Sequence, residues 1–192
     1  MLFRSSSHPY ELLERLSASL PYDEHDLASL VVTDPRAGNV AGLRAVLQHY
    51  RVGEVLDPGV QYPSRTYAGW RSDLRRLHIP VLALRTGTIL LFGDVTLEAV
   101  APDGLRYRPI DSVGMLRIWS RRTSVLVAGA SSQLEQHEAV FRSVPLRADV
   151  LVNAATRCDT AFLRHIAAKH VYGQSCPHAV LPGPNKPVAV FR

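Results

Sequence analysis

Short apolar strands and amphipathic helices take turns along this chain, and that alternation limits its fold more than any single residue. "LASLVVT", from Leu27, is a β-branched apolar run that reads as a buried strand. Ahead of it, "PYELLERLSASL" spaces Leu12, Leu13, Leu16 and Leu20 as one helical face. After it, Asn39 is expected to cap a helix from Val40 to Tyr50, with Val40, Leu43, Val46 and Leu47 inward. "GEVLDPG" is a strand ended by Pro58-Gly59. "SRTYAGWRSDLRRLHI" is an amphipathic helix with Tyr67, Trp70, Leu74 and Leu77 on its inner side, and "PVLALRTG" is a strand and turn.

The middle of the chain changes rhythm. "TILLFGDVTLEAVAP" reads as two strands joined at Gly93-Asp94, a strong hairpin signal. "GMLRIWSRRTSVLVAGA" reads as a second hairpin turning at Ser120 to Arg122. A helix from Gln133 to Arg142, a buried strand "ADVLVNA" and a helix "TAFLRHIAAKH" follow, and the chain ends rich in proline and glycine. Strands alternating with helices, with hairpins between, predict a layered α/β domain with mixed sheets.

At 192 residues and 46% hydrophobic, the chain is expected to form one domain, residues 1–192, with a sizeable core. No apolar run approaches the roughly 20 residues that a membrane-spanning helix needs. The N-terminus turns polar too soon for a secretory signal, so the expected place is the cytoplasm, or a soluble domain attached to a membrane protein. Cys158 and Cys176 are too few for a disulfide framework, and both are expected as free thiols. The net charge is +5, nearly all of it arginine, which favours anionic partners such as nucleic acid.

Several runs, in order, resemble the metallo-β-lactamase fold, and more narrowly the C-terminal domain of the ComEC-family competence proteins, the membrane channels of DNA uptake. They are "LASLVVTDPRAGNVAGLRAVLQHYRVGEVLDPG", "TYAGW" with "IPVLALRTG", "LLFGDVTLEAVAP", "SVLVAGASSQLEQHE", "RADVLV" and "AFL". The resemblance covers roughly residues 27–181 and implies an αββα sandwich with mixed sheets. It also implies a missing first hairpin, whose absence leaves a sheet edge for the N-terminal helix or a second copy to cover.

The resemblance also says where metal ligands belong, and this chain departs there. The H-x-H-x-D-H positions fall on Asp34, Arg36, Gly38 and Asn39, the bridging aspartate on Ala130, and the last histidine near Cys176. The histidine between these falls near Ala155 or Thr156. A dinuclear site needs several imidazole, thiolate or carboxylate donors around cations about 3.5–4 Å apart. Arginine offers no lone pair at neutral pH, and glycine and alanine offer nothing.

The expectation is therefore a domain without metal, cofactor or catalytic residues. It is read as a nucleic-acid or protein binding module whose partners are DNA or a membrane-channel component. The competing reading is a metal-dependent nuclease or phosphodiesterase with an altered site.

Arg36 and Asn39, just ahead of a helix start, are candidate anion contacts, joined by Arg121 and Arg122 at the second hairpin tip. The plainer reading pairs Arg36 with Asp34. Cys176 and His178, two residues apart in an irregular segment, have no evident orienting third group and are read as idle. "GNVAG" lacks the G-K-[ST] ending of a nucleotide cradle.

Overall fold

The computed structural model describes residues 9–60, 62–101, 113–142 and 145–173. The chain divides into two compact units, residues 1–83 and 84–192.

In the first unit, α1 (Pro9–Ser17) precedes three parallel strands in the order β1-β2-β3: β1 (Asp26–Val31), β2 (Arg51–Asp57) and β3 (Val81–Ala83). Parallel neighbours need crossovers, and α2 (Ala37–His49) and α3 (Arg65–Arg76) supply them. The core gathers the apolar stripes foreseen from spacing: Leu12 and Leu16 of α1, Val40, Leu43 and Val46 of α2, and Tyr67, Trp70 and Leu74 of α3. Leu77 does not join them. It is the C-cap residue of α3 and 39% exposed, because the helix ends before that position turns inward. β1 and β2 lie close at Gly53, where an added Cβ would stand 2.7 Å from the Ala28 carbonyl oxygen. No described strand pairs with the outer edge of β1, and α1 packs against α2.

The second unit is a six-stranded mixed sheet in the order β4-β5-β6-β7-β8-β9. The two expected hairpins form: β4 (Ile89–Phe92) with β5 (Val95–Ala101), and β6 (Met115–Trp119) with β7 (Ser124–Gly129). Gly93 takes a left-handed φ of +61° in the first turn, the freedom that glycine supplies there. Beyond β7 the ladder becomes parallel through β8 (Val150–Asn153) and β9 (His170–Gly173), joined by α4 (Gln133–Phe141) and α5 (Thr160–Ile166). Val100, Met115, Leu126, Leu151, Phe162 and Ile166 lead its core.

Two expectations are corrected here. β9 forms soon after α5, where the sequence pattern predicts a helix continuing to His170; Ala167, at φ +51°, caps α5 and turns the chain. Cys158 is disulfide-bonded, not a free thiol. Cysteine count does not reveal which side chains a fold brings within bonding distance. Cys176 and His178 lie outside the described residues.

Candidate functional site

In open α/β sheets, ligands bind beyond the carboxyl ends of the parallel strands. Each unit has such an end, and the substituted ligand positions fall on them.

In the first unit, the chain leaves β1 and turns through Asp34-Pro35-Arg36. Asp34 Oδ1 accepts the Arg36 backbone N–H at 3.0 Å, an Asx turn that Pro35 helps fix. The Arg36 side chain folds back onto the same carboxylate. Nε donates to Oδ1 at 2.8 Å and to Oδ2 at 2.7 Å, and Nη2 also donates to Oδ2. Asp34 is 6% exposed, and both of its oxygens are engaged.

The helix start differs from expectation. α2 begins at Ala37, Arg36 is its N-cap residue and gives no side-chain cap, and Asn39 lies inside the first turn. The Asx turn ends the loop early, so helix begins before Asn39 and leaves it no capping role. Gly38 is exposed on the same turn.

A second carboxylate stands at the end of β2. Asp57 is 0% exposed. Its Oδ1 accepts from the Gly59 N–H at 2.8 Å and the Tyr67 hydroxyl at 2.7 Å, with Arg71 Nη1 at 3.8 Å. Its Oδ2 has no partner. Burial, then the Asp57 charge, pushes the Tyr67 hydroxyl pKa up, so the phenol stays a proton donor. In the sequence, this position marks only a strand ended by Pro58-Gly59. An aspartate closing a buried strand was the available signal.

In the second unit, Ala130 follows β7 and Ala155 follows β8, where the resemblance places an aspartate and a histidine. The polar side chains around them, two amides and one carboxylate among them, serve the loops and the start of α4. Fully buried Gln136 donates through Nε2 to the Ser131 and Arg157 carbonyls, each at 3.3 Å, and accepts the Asp159 N–H at 2.7 Å. Asn153 accepts the Ala155 N–H at 3.2 Å and donates to its carbonyl at 3.3 Å. Ser132 and Glu135 form a capping box on α4, and Glu135 also accepts the Val113 N–H at 3.1 Å. Gln136 and Asn153 carried no sequence signal, since their partners are distant backbone groups.

These residues do not fit a dinuclear metal centre. The one carboxylate of the substituted ligand loop is saturated by a fixed cation, which would repel a dication held nearby. Among the described residues, no three histidine, cysteine or acidic side chains gather where they could hold an ion.

Arg121 and Arg122 are exposed in the β6–β7 turn. That turn and Ala130 lie at opposite ends of β7, so the arginine pair is remote from the substituted ligand position of its own unit. Behind the tip, the Arg117 guanidinium sits 4.8 Å over the Trp119 ring.

Comparison with known structures places this architecture. CmlA, a diiron beta-hydroxylase from Streptomyces venezuelae, superposes with a TM-score of 0.56 at 17% identity over 81% of this chain and 36% of that one. The metallo-beta-lactamase fold protein YhfI from Bacillus subtilis superposes with a TM-score of 0.54 at 11% identity, over 86% of this chain and 71% of that one. The chain has a metallo-β-lactamase-like fold. It spans little more than a third of the CmlA chain. No family model and no curated protein matches the sequence.

Proposed function

We infer that this chain is a non-catalytic member of the metallo-β-lactamase fold that binds nucleic acid, with the ComEC-like resemblance suggesting a partner in DNA uptake. The observation that carries this reading is the Arg36–Asp34 clamp. Two oxygens that could ligate a metal accept from one guanidinium instead, and such charge-assisted bonds are strong on a buried carboxylate. The hydrolytic or oxidative chemistry associated with this fold needs a donor set that Asp34, Arg36, Gly38, Asn39 and Ala130 do not supply. The anion-binding side of the reading rests on the net charge of +5 and on the exposed pair Arg121 and Arg122. The guanidinium of Arg36 is committed to Asp34, which favours the hairpin tip over the old ligand loop as the phosphate contact.

The test has two arms. Purified protein incubated with zinc or manganese and then desalted is expected to retain far less than one equivalent of metal. It is also expected to bind DNA with an affinity that falls as salt rises, without cleaving it. About two retained equivalents, or metal-dependent cleavage, would overturn the inactive reading. Absence of DNA binding at low salt would remove the nucleic-acid part and leave a protein-binding role.

A further inference from the structure

The six-stranded sheet ends at β4, and β4 has no described neighbour on its outer side. Edge strands carry a row of unpaired N–H and C=O groups, which proteins usually guard with charge, proline, a bulge or a covering element. β4 carries no charge, proline or bulge, and no described strand covers it. Its sequence is Ile89-Leu90-Leu91-Phe92, regularly paired to β5 on its inner side. Ile89 is 56%, Leu91 73% and Phe92 41% exposed. An edge of bare backbone groups asks for another extended strand, and its apolar side chains ask that this strand be apolar too.

The sequence around β4 supplies that strand itself. Residues 86–93 carry no charge, and the first charges beyond them are Arg85 on one side and Asp94 on the other, both exposed. If two copies of β4 run antiparallel about a two-fold axis through Leu90, Leu90 meets its own counterpart. Ile89 then lies opposite Leu91 of the second copy, joining the two most exposed apolar side chains of the strand on one face. The flanking Arg85 of each copy arrives beside Asp94 of the other, so opposite charges meet at both ends. A parallel pairing would set like charges together, at a cost. The other edge of the sheet lacks this symmetry: β9 is His170-Val171-Tyr172-Gly173 and begins beside the Lys169–Asp149 ion pair.

We propose that the chain forms a two-fold homodimer by antiparallel pairing of β4 with β4 of a second copy, joining two six-stranded sheets into one. The arrangement is isologous, so it closes at two copies and does not propagate.

Sedimentation of the full chain over a range of concentrations reads the mass directly. The wild type is expected at twice its 21.2 kDa chain mass. Leu91→Lys, which puts a charge at the centre of the edge, is expected to sediment at the single-chain mass with an unchanged circular dichroism spectrum. Tyr172→Lys, on the opposite edge, is expected to leave the dimer intact. A wild type that stays at the single-chain mass at every concentration overturns the proposal. So does a dimer that survives Leu91→Lys or is lost with Tyr172→Lys. Should Leu91→Lys fail to fold, amide exchange in the wild type decides. Slower exchange across residues 89–92 at high concentration supports the pairing, and rates independent of concentration overturn it.

Discussion

Asp34 is a carboxylate that water barely reaches, and its tolerance of burial comes from one neighbour two residues along the chain. Arg36 is 33% exposed at its side chain, so the pair is only partly desolvated. Truncating one partner of such a pair costs more than the pair is worth, because the other charge is left buried and unmatched. Arg36→Ala is expected to lower unfolding free energy by about 1–3 kcal/mol, below the figure for a fully buried pair because of that exposure. Asp34→Ala with Arg36→Ala is expected to recover much of the loss, since no orphaned charge remains. Urea unfolding of the wild type, both single variants and the double variant measures the coupling. A single Arg36→Ala variant as stable as wild type would mean that the clamp does not hold the loop together.

At the scale of elements, the strands and helices were legible because each carries its own period and punctuation. The core of the first unit follows from the helical spacing of leucine, valine, Tyr67 and Trp70, and Gly93-Asp94 marks its hairpin. What was not legible depends on contacts across the chain. The start of α2 was misplaced at Asn39 because the sequence offers a good cap there, while the Asx turn at Asp34 fixes the actual start. β9 was missed because four residues leave no room for a pattern. Asp57, Gln136 and Asn153 look like any polar residue until their partners are known.

Asp149 is of the same kind. It accepts the Ser124 backbone N–H and hydroxyl, each at 2.9 Å, and Lys169 Nζ at 2.9 Å, tying together the starts of β7, β8 and β9. The Lys169 ammonium, then the Ser124 donors, hold its carboxyl well below the usual carboxylate range. A depressed folded-state pKa stabilises above the unfolded value of about 3.9 and is lost as pH falls below it. Melting temperature is therefore expected to fall as pH drops from about 5 toward 2, and Lys169→Met to flatten that fall. The effect is expected to shrink with added salt, because the pair is solvent-exposed. Identical acid profiles for wild type and Lys169→Met would sink this assignment.

On the scale of the whole molecule, charge and fold carry separate information. The fold places the chain among metallo-β-lactamase-like architectures, and a fold alone does not choose a function. The charge points to anions without saying where they bind. Arg121 and Arg122 are the sharper address, because both are exposed side by side in the β6–β7 turn. If that tip contacts DNA phosphates, each arginine releases condensed counterions, and the slope of log affinity against log salt reports their number. Changing both to alanine is expected to make that slope shallower by about 1–2, and to weaken binding similarly for unrelated sequences, since phosphate contacts carry no base information. Arg36→Ala, measured alongside, is expected to leave the slope unchanged because its guanidinium already serves Asp34. The opposite pattern, a slope that responds to Arg36 and ignores the tip, would return the anion site to the old ligand loop. It would also mean that the Arg36–Asp34 pair opens when DNA binds.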